Sequence, residues 1–163
     1  MESLRANRKL SPDNPGCYTM EHTITAGDTS AMGPAYYARF TDWQGVCREQ
    51  AGILLAPKFS SGISGGDYSM VTQSCSCTFL RPASFGDRIV VRLTVPWVRM
   101  SFMKGEYTFH RRAEGEERLI AVGEQVWASM RHLDDGYDLC PWPRELVDCA
   151  AALGADTSRA HVE

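Results

Sequence analysis

Residues 36–55 of this chain read Tyr-Tyr-Ala-Arg-Phe-Thr-Asp-Trp-Gln-Gly-Val-Cys-Arg-Glu-Gln-Ala-Gly-Ile-Leu-Leu. Within them Tyr37, Phe40, Trp43 or Gln44, Cys47, Ala51 and Leu54 return every three or four residues. That spacing lines one face of an α-helix. It predicts a single long helix with a broad apolar stripe. Pro34 stands just ahead, where a residue without an N–H costs the first turn nothing. Ala56-Pro57 stops the helix.

Upstream, the stretch from Cys17 to Ala26 alternates Tyr18, Met20, His22 and Ile24 with Thr19, Glu21, Thr23 and Thr25, a strand pattern. Gly27-Asp28-Thr29-Ser30 breaks it, and the polar residues 1–16 are expected to be a flexible leader. Downstream, residues 58–67 form a Gly/Ser-rich loop without the Gly-Lys-Ser/Thr ending of a phosphate-binding loop. Residues 68–80, 88–98, 101–112 and 118–132 then read as four strands separated by turns at 81–87 and 113–117. The second alternates most cleanly, with Ile89, Val91, Leu93 and Val95 on one face and Arg92 and Thr94 on the other. Links this short make neighbours antiparallel. A short helix follows Pro143, and residues 154–163 are expected to be a flexible tail. One helix has to cover one face of the sheet, so the sheet curls around it. This is an α+β hotdog arrangement over residues 17–153. A free edge and an uncovered face predict a homo-oligomer, dimer or tetramer.

A length of 163 residues gives one domain with a real core. The net charge of −3 lacks the cationic surplus that a nucleic-acid partner demands. No apolar run reaches membrane-spanning length, and the polar first residues carry no secretory h-region. The six cysteines form neither a disulfide framework nor two CxxC pairs, which points to a reducing cytoplasm. Cys75 and Cys77 fall on one side of a strand, so buried thiols are expected rather than a metal site.

The run Asp28-Thr29-Ser30-Ala31-Met32-Gly33-Pro34-Ala35-Tyr36-Tyr37, continued by Trp43-Gln44-Gly45-Val46-Cys47-Arg48-Glu49, resembles the hotdog thioesterases of the hydroxybenzoyl-CoA thioesterase group. It looks closest to their enediyne polyketide branch. Arg81-Pro82, Phe85-Gly86-Asp87 and the strand Leu119–Gln125 are similar as well. The resemblance implies a thioesterase that releases a long unsaturated or aromatic acyl chain. Its partner would be an acyl carrier protein domain of a polyketide synthase, in antibiotic biosynthesis, with no metal and no organic cofactor. It assigns catalysis to Ser30, Arg48 and the Tyr37 N–H, and substrate binding to Gly33, Tyr36, Phe40 and Glu49. Three positions depart from the family pattern: Ser30 and Pro34 stand where it has Asn, and Phe40 where it has Tyr. The alternatives are a non-hydrolytic acyl-binding protein and a dehydratase-like hotdog enzyme.

A thioester needs its carbonyl polarised and a water aimed at it. A backbone N–H at a helix start does the first, assisted by the helix dipole, and one such donor is worth ~3 kcal/mol of barrier. Ser30 is either a turn-capping residue or a hydrogen-bonding group for the carbonyl or the water. No neighbouring base makes it a nucleophile, and His22 and His110 reach it only through the fold. Arg48 either pairs with Glu49 or Asp42 or faces the substrate and holds a carbonyl or carboxylate. Asp42 and Glu49 are solvated charges or a helix-borne base. Tyr36, Tyr37, Phe40 and Trp43 are core or the lining of an acyl tunnel. Arg81, Arg111 and Arg112 are solvated or meet an acidic carrier protein.

Overall fold

Strand β1 (Tyr18–Thr23) leads through a single 3-10 turn at Ala26–Asp28 into helix α1 (Tyr37–Leu55). Four strands follow: β2 (Tyr68–Phe79), β3 (Arg88–Met100), β4 (Phe102–Ala113) and β5 (Glu116–Leu133). A short hairpin strand β6 (Gly136–Leu139), helix α2 (Arg144–Ala152) and strand β7 (Asp156–Ala160) close the chain. These elements come from a computed structural model that describes residues 16–58 and 68–162. The expected leader lies almost wholly outside them, as does most of the Gly/Ser-rich loop.

The strands line up in the order β1-β3-β4-β5-β2, every neighbouring pair antiparallel. Register shifts at Thr72/Ser74, Thr94/Trp97 and Phe109/His110 let the sheet bend. The concave face then receives Phe40, Trp43, Gln44, Cys47 and Ala51 of α1, all buried. They pack on Ile89, Val91, Leu93, Tyr107, Phe109 and Trp127 in one continuous core. This is the hotdog fold. Gly123 makes the close approach possible, because a Cβ there would collide with the Gln44 amide. No helix among the described residues is long and apolar enough to cross a membrane.

Three local readings of the sequence are corrected and one strand is added. Tyr37, placed on the buried stripe, is 62% exposed, because it stands at the open end of the helix with its ring 4.5 Å from that of Tyr36. The expected flexible tail contains β7, which pairs in parallel with β3, while Val162 bridges to the buried Trp142. A five-residue polar strand held by backbone bonds leaves no hydrophobic period to read. The Asp134-Asp135-Gly136 turn folds β6 back onto β5, a strand that the sequence reading did not include. Cys75 is exposed and Cys77 half-exposed, because β2 is an edge strand with most of its side chains open to solvent.

Candidate active site

The segment entering α1 is tied down by Asp28. Its Oδ2 accepts the Thr25 N–H and hydroxyl, each at 2.8 Å, and lies 3.1 Å from His22 Nε2. Burial alone would raise this carboxyl, but the Thr25 and His22 contacts prevail and hold it below its ordinary value. The Asp28 carbonyl accepts the Tyr36 N–H at 2.8 Å, and the Ala35 N–H reaches Ala83 O at 2.7 Å. Between them residues 30–34 make a tight turn. The Ser30 N–H donates to Pro34 O at 2.8 Å, the Gly33 N–H returns to Ser30 O at 3.0 Å, and Gly33 takes φ +99°. A side chain at 33 would be strained there.

The turn delivers the chain to α1 with Tyr36 as N-cap, and no side chain caps the helix. The first N–H groups of a helix have no partner within it, so the Tyr37 N–H is left to an outside acceptor. Beside it opens a cavity of about 280 Å³ lined by Ala35, Tyr37, Phe40, Phe79, Leu80, Arg81, Pro82 and Ala83. Phe40 is 3% exposed and sits 4.9 to 5.2 Å from the rings of Trp43, Phe79 and Phe109. The arrangement is an apolar slot with a helix dipole at its mouth.

Of the residues assigned from sequence, Tyr37 and Phe40 line this slot and Ser30, Gly33 and Tyr36 form the turn leading to it. The Ser30 Oγ accepts the Met32 N–H at 3.3 Å, the contact of a turn-capping serine. Arg48 lies eleven residues beyond Tyr37, about 16 Å further along the helix axis. There it donates to Thr72 Oγ1 at 2.9 Å and to Gln125 Oε1 at 3.4 Å. Glu49 is a loose partner at 3.9 Å and largely solvated, and Asp42 pairs with Arg39 on the surface. Within one chain, then, the assigned residues fall into two groups rather than one.

Sequence reading missed the polar cluster around Arg48. Gln44 is fully buried, donating to Ser76 O at 3.0 Å and accepting the Cys75 thiol at 3.3 Å. Gln125 is 4% exposed, and its Oε1 faces Trp127 Nε1 at 2.7 Å and the Tyr107 hydroxyl at 3.3 Å. A polar residue on the buried side of an otherwise apolar stripe was the available signal in both cases. Arg112, read as a candidate for carrier-protein contact, is occupied by Glu21 and Glu117. Arg111 faces Asp87 at 3.7 Å, while Arg81 donates to Leu119 O at the rim of the slot.

Element order and curled sheet define the class as a hotdog fold. Residues 49–118 match the family model described as Thioesterase superfamily. The 1,4-dihydroxy-2-naphthoyl-CoA hydrolase of Synechocystis is 31% identical over 83 residues, 49% of this chain and 58% of that protein. The chain therefore matches a little over half the length of this curated relative. The dynemicin thioesterase, crystallised for polyene binding, superposes with TM-score 0.81 at 28% identity, covering 86% of this chain and 98% of that one. The 4-hydroxybenzoyl-CoA thioesterase of Pseudomonas sp. strain CBS-3 gives 0.72 at 16% identity, with 82% and 98% covered, a likeness of fold. The chain has the hotdog fold, and its residues 49–118 resemble the thioesterase superfamily.

Proposed function

We propose that this protein is a thioesterase, hydrolysing an acyl thioester in the slot at the start of α1. The observation that carries this reading is the uncapped helix start opening onto an aromatic cavity. An acyl chain packs against Phe40 and Phe79, and the thioester carbonyl oxygen takes the hydrogen bond of the Tyr37 N–H. Charge that develops on that oxygen as water attacks is met by the donor and the positive end of the helix. The C–S bond breaks, the thiol leaves protonated, and the acid is released. Ser30 steadies the carbonyl or the water when it exchanges its contact with the Met32 N–H for one with the substrate. No step draws on a cofactor or metal.

The finer reading is a long unsaturated or aromatic polyketide chain delivered on an acyl carrier protein. The likeness to a thioesterase crystallised with respect to polyene binding supports it, as does a slot walled by Phe40, Phe79 and Tyr37. The twelve-residue β2 edge supports pairing of two copies. A second reading, an acyl-binding protein without hydrolysis, draws on the Ser30 hydroxyl being satisfied by its own turn. A panel of saturated, polyene and aroyl thioesters on coenzyme A and on carrier protein, read by thiol release, separates the two. Turnover fastest for unsaturated or aroyl chains on carrier protein supports the finer reading. Tight binding without thiol release supports the second.

A further inference from the structure

Arg48 is held in an unusual way. Its side chain is only 18% exposed, yet its near partners are the neutral oxygens of Thr72 and Gln125, and Glu49 stands off at 3.9 Å. Its Nε–H is buried without an acceptor among the described residues. The guanidinium also lies over the Trp127 ring, 5.8 Å from its centre. A cation withdrawn this far from solvent is ordinarily paired closely with a carboxylate, because a poorly compensated charge is costly in a low dielectric. Here the position in hydrogen-bond reach on β5 carries an amide.

The orientation of that amide is fixed by its neighbours. Trp127 Nε1 and Arg48 can only donate, so both require the oxygen of Gln125 to face them, and the protonated Tyr107 phenol donates to that oxygen as well. The Gln125 Nε2 then faces the Cys75 sulfur at 3.7 Å. A flipped amide would set N–H against N–H.

We infer that Gln125 is a positioning residue, a neutral acceptor that aims the Arg48 guanidinium while leaving its charge free for an oxygen of the thioester substrate other than the carbonyl held at Tyr37. A glutamate at this place would give Arg48 the same reach and cancel its charge. Amide and carboxylate are nearly isosteric, so the choice between them concerns charge, not packing. The inference rests on the thioesterase reading for the identity of the ligand, but not for the arrangement itself.

The test compares the wild-type protein with Gln125→Glu and Gln125→Leu. Three readouts are taken: melting temperature, kcat and KM for decanoyl-CoA between pH 5.5 and 9, and the Arg48 Nε–Hε NMR signal, assigned by its loss in Arg48→Lys. The expected result for Gln125→Glu is a folded protein whose kcat/KM is at least ~10-fold down at pH 8, the loss of about one charge-assisted contact. The loss persists as the pH falls to 5.5, because Arg48 and the Trp127 and Tyr107 donors favour the ionised form of the new carboxyl. The Arg48 signal shifts in Gln125→Glu and broadens in Gln125→Leu. Wild-type kcat/KM at every pH in Gln125→Glu would overturn the inference. If Gln125→Leu does not fold, Gln125→Glu decides alone. If the wild type releases no thiol at all, the thioesterase reading fails, and the NMR signal still decides the positioning role. An Arg48 signal unchanged in Gln125→Glu then rejects it.

Discussion

Replacing Phe40 by alanine should cost about 3 kcal/mol of stability and change which acyl chains the slot accepts. The side chain is 3% exposed and touches three aromatic rings at 4.9, 5.1 and 5.2 Å. Buried Phe→Ala changes cost ~3–5 kcal/mol, the lost burial plus the void left behind. Phe40 already borders the slot, so the new space joins an existing opening of about 280 Å³ and does not become a sealed void. The lower end of the range follows. At ~2–4 °C per kcal/mol for a chain of this size, the melting temperature should fall by roughly 6–12 °C. Calorimetry measures that fall, and kcat/KM over acyl-CoA chain lengths measures the shift toward bulkier chains. A loss under about 1 kcal/mol, with the chain-length profile unmoved, would show that Phe40 neither packs the core nor bounds the slot.

Arg48→Ala should lower kcat/KM by ~10- to 100-fold through one lost charge-assisted contact, with a smaller effect on melting temperature; activity per folded molecule equal to wild type would make Arg48 purely structural. Ser30→Ala should lose ~10-fold or more in kcat, and Ser30→Asn should keep activity, while mass spectrometry after rapid quench should find no acyl group on the protein. Asp28 has its carboxyl held below the ordinary 3.8, so it contributes stability above about pH 4 that is lost as the pH falls through its folded value. Denaturant titrations should therefore show Asp28→Asn destabilised at pH 7, with the difference from wild type closing as the pH falls through the folded value; a difference constant with pH would contradict this.

The long elements were legible because each has a period. Residues 36–55 repeat every three or four positions and became α1 at Tyr37–Leu55, and the alternation of Ile89, Val91, Leu93 and Val95 became the buried side of β3. Strand β7 was not legible, since Asp156–Ala160 is polar and joins the sheet by main-chain bonds to β3 that no side-chain pattern announces. Cys75 reads as a buried thiol only if β2 is an inner strand, and which strand falls at the edge is set by topology. The turn before α1 was readable as a motif, but not the satisfaction of the Ser30 hydroxyl by Met32 two residues on. The Gln44, Tyr107 and Gln125 cluster joins three elements separated by dozens of residues, so only the folded chain brings its members together. An amide on an apolar stripe was its one trace in the sequence.

The central claim is that the first N–H of α1 polarises the thioester carbonyl, and proline can delete that group alone. Position 37 is the first helical residue, where proline is well tolerated, and Tyr36 at φ −68° and ψ 132° already has the extended backbone that a following proline requires. The measurement is kcat for acyl-CoA hydrolysis by Tyr37→Pro beside Tyr37→Ala, which loses the same ring and keeps the N–H. The account predicts a folded Tyr37→Pro protein with kcat ~100- to 1000-fold below that of Tyr37→Ala. Equal rates in the two variants would contradict it and move the chemistry away from the helix start.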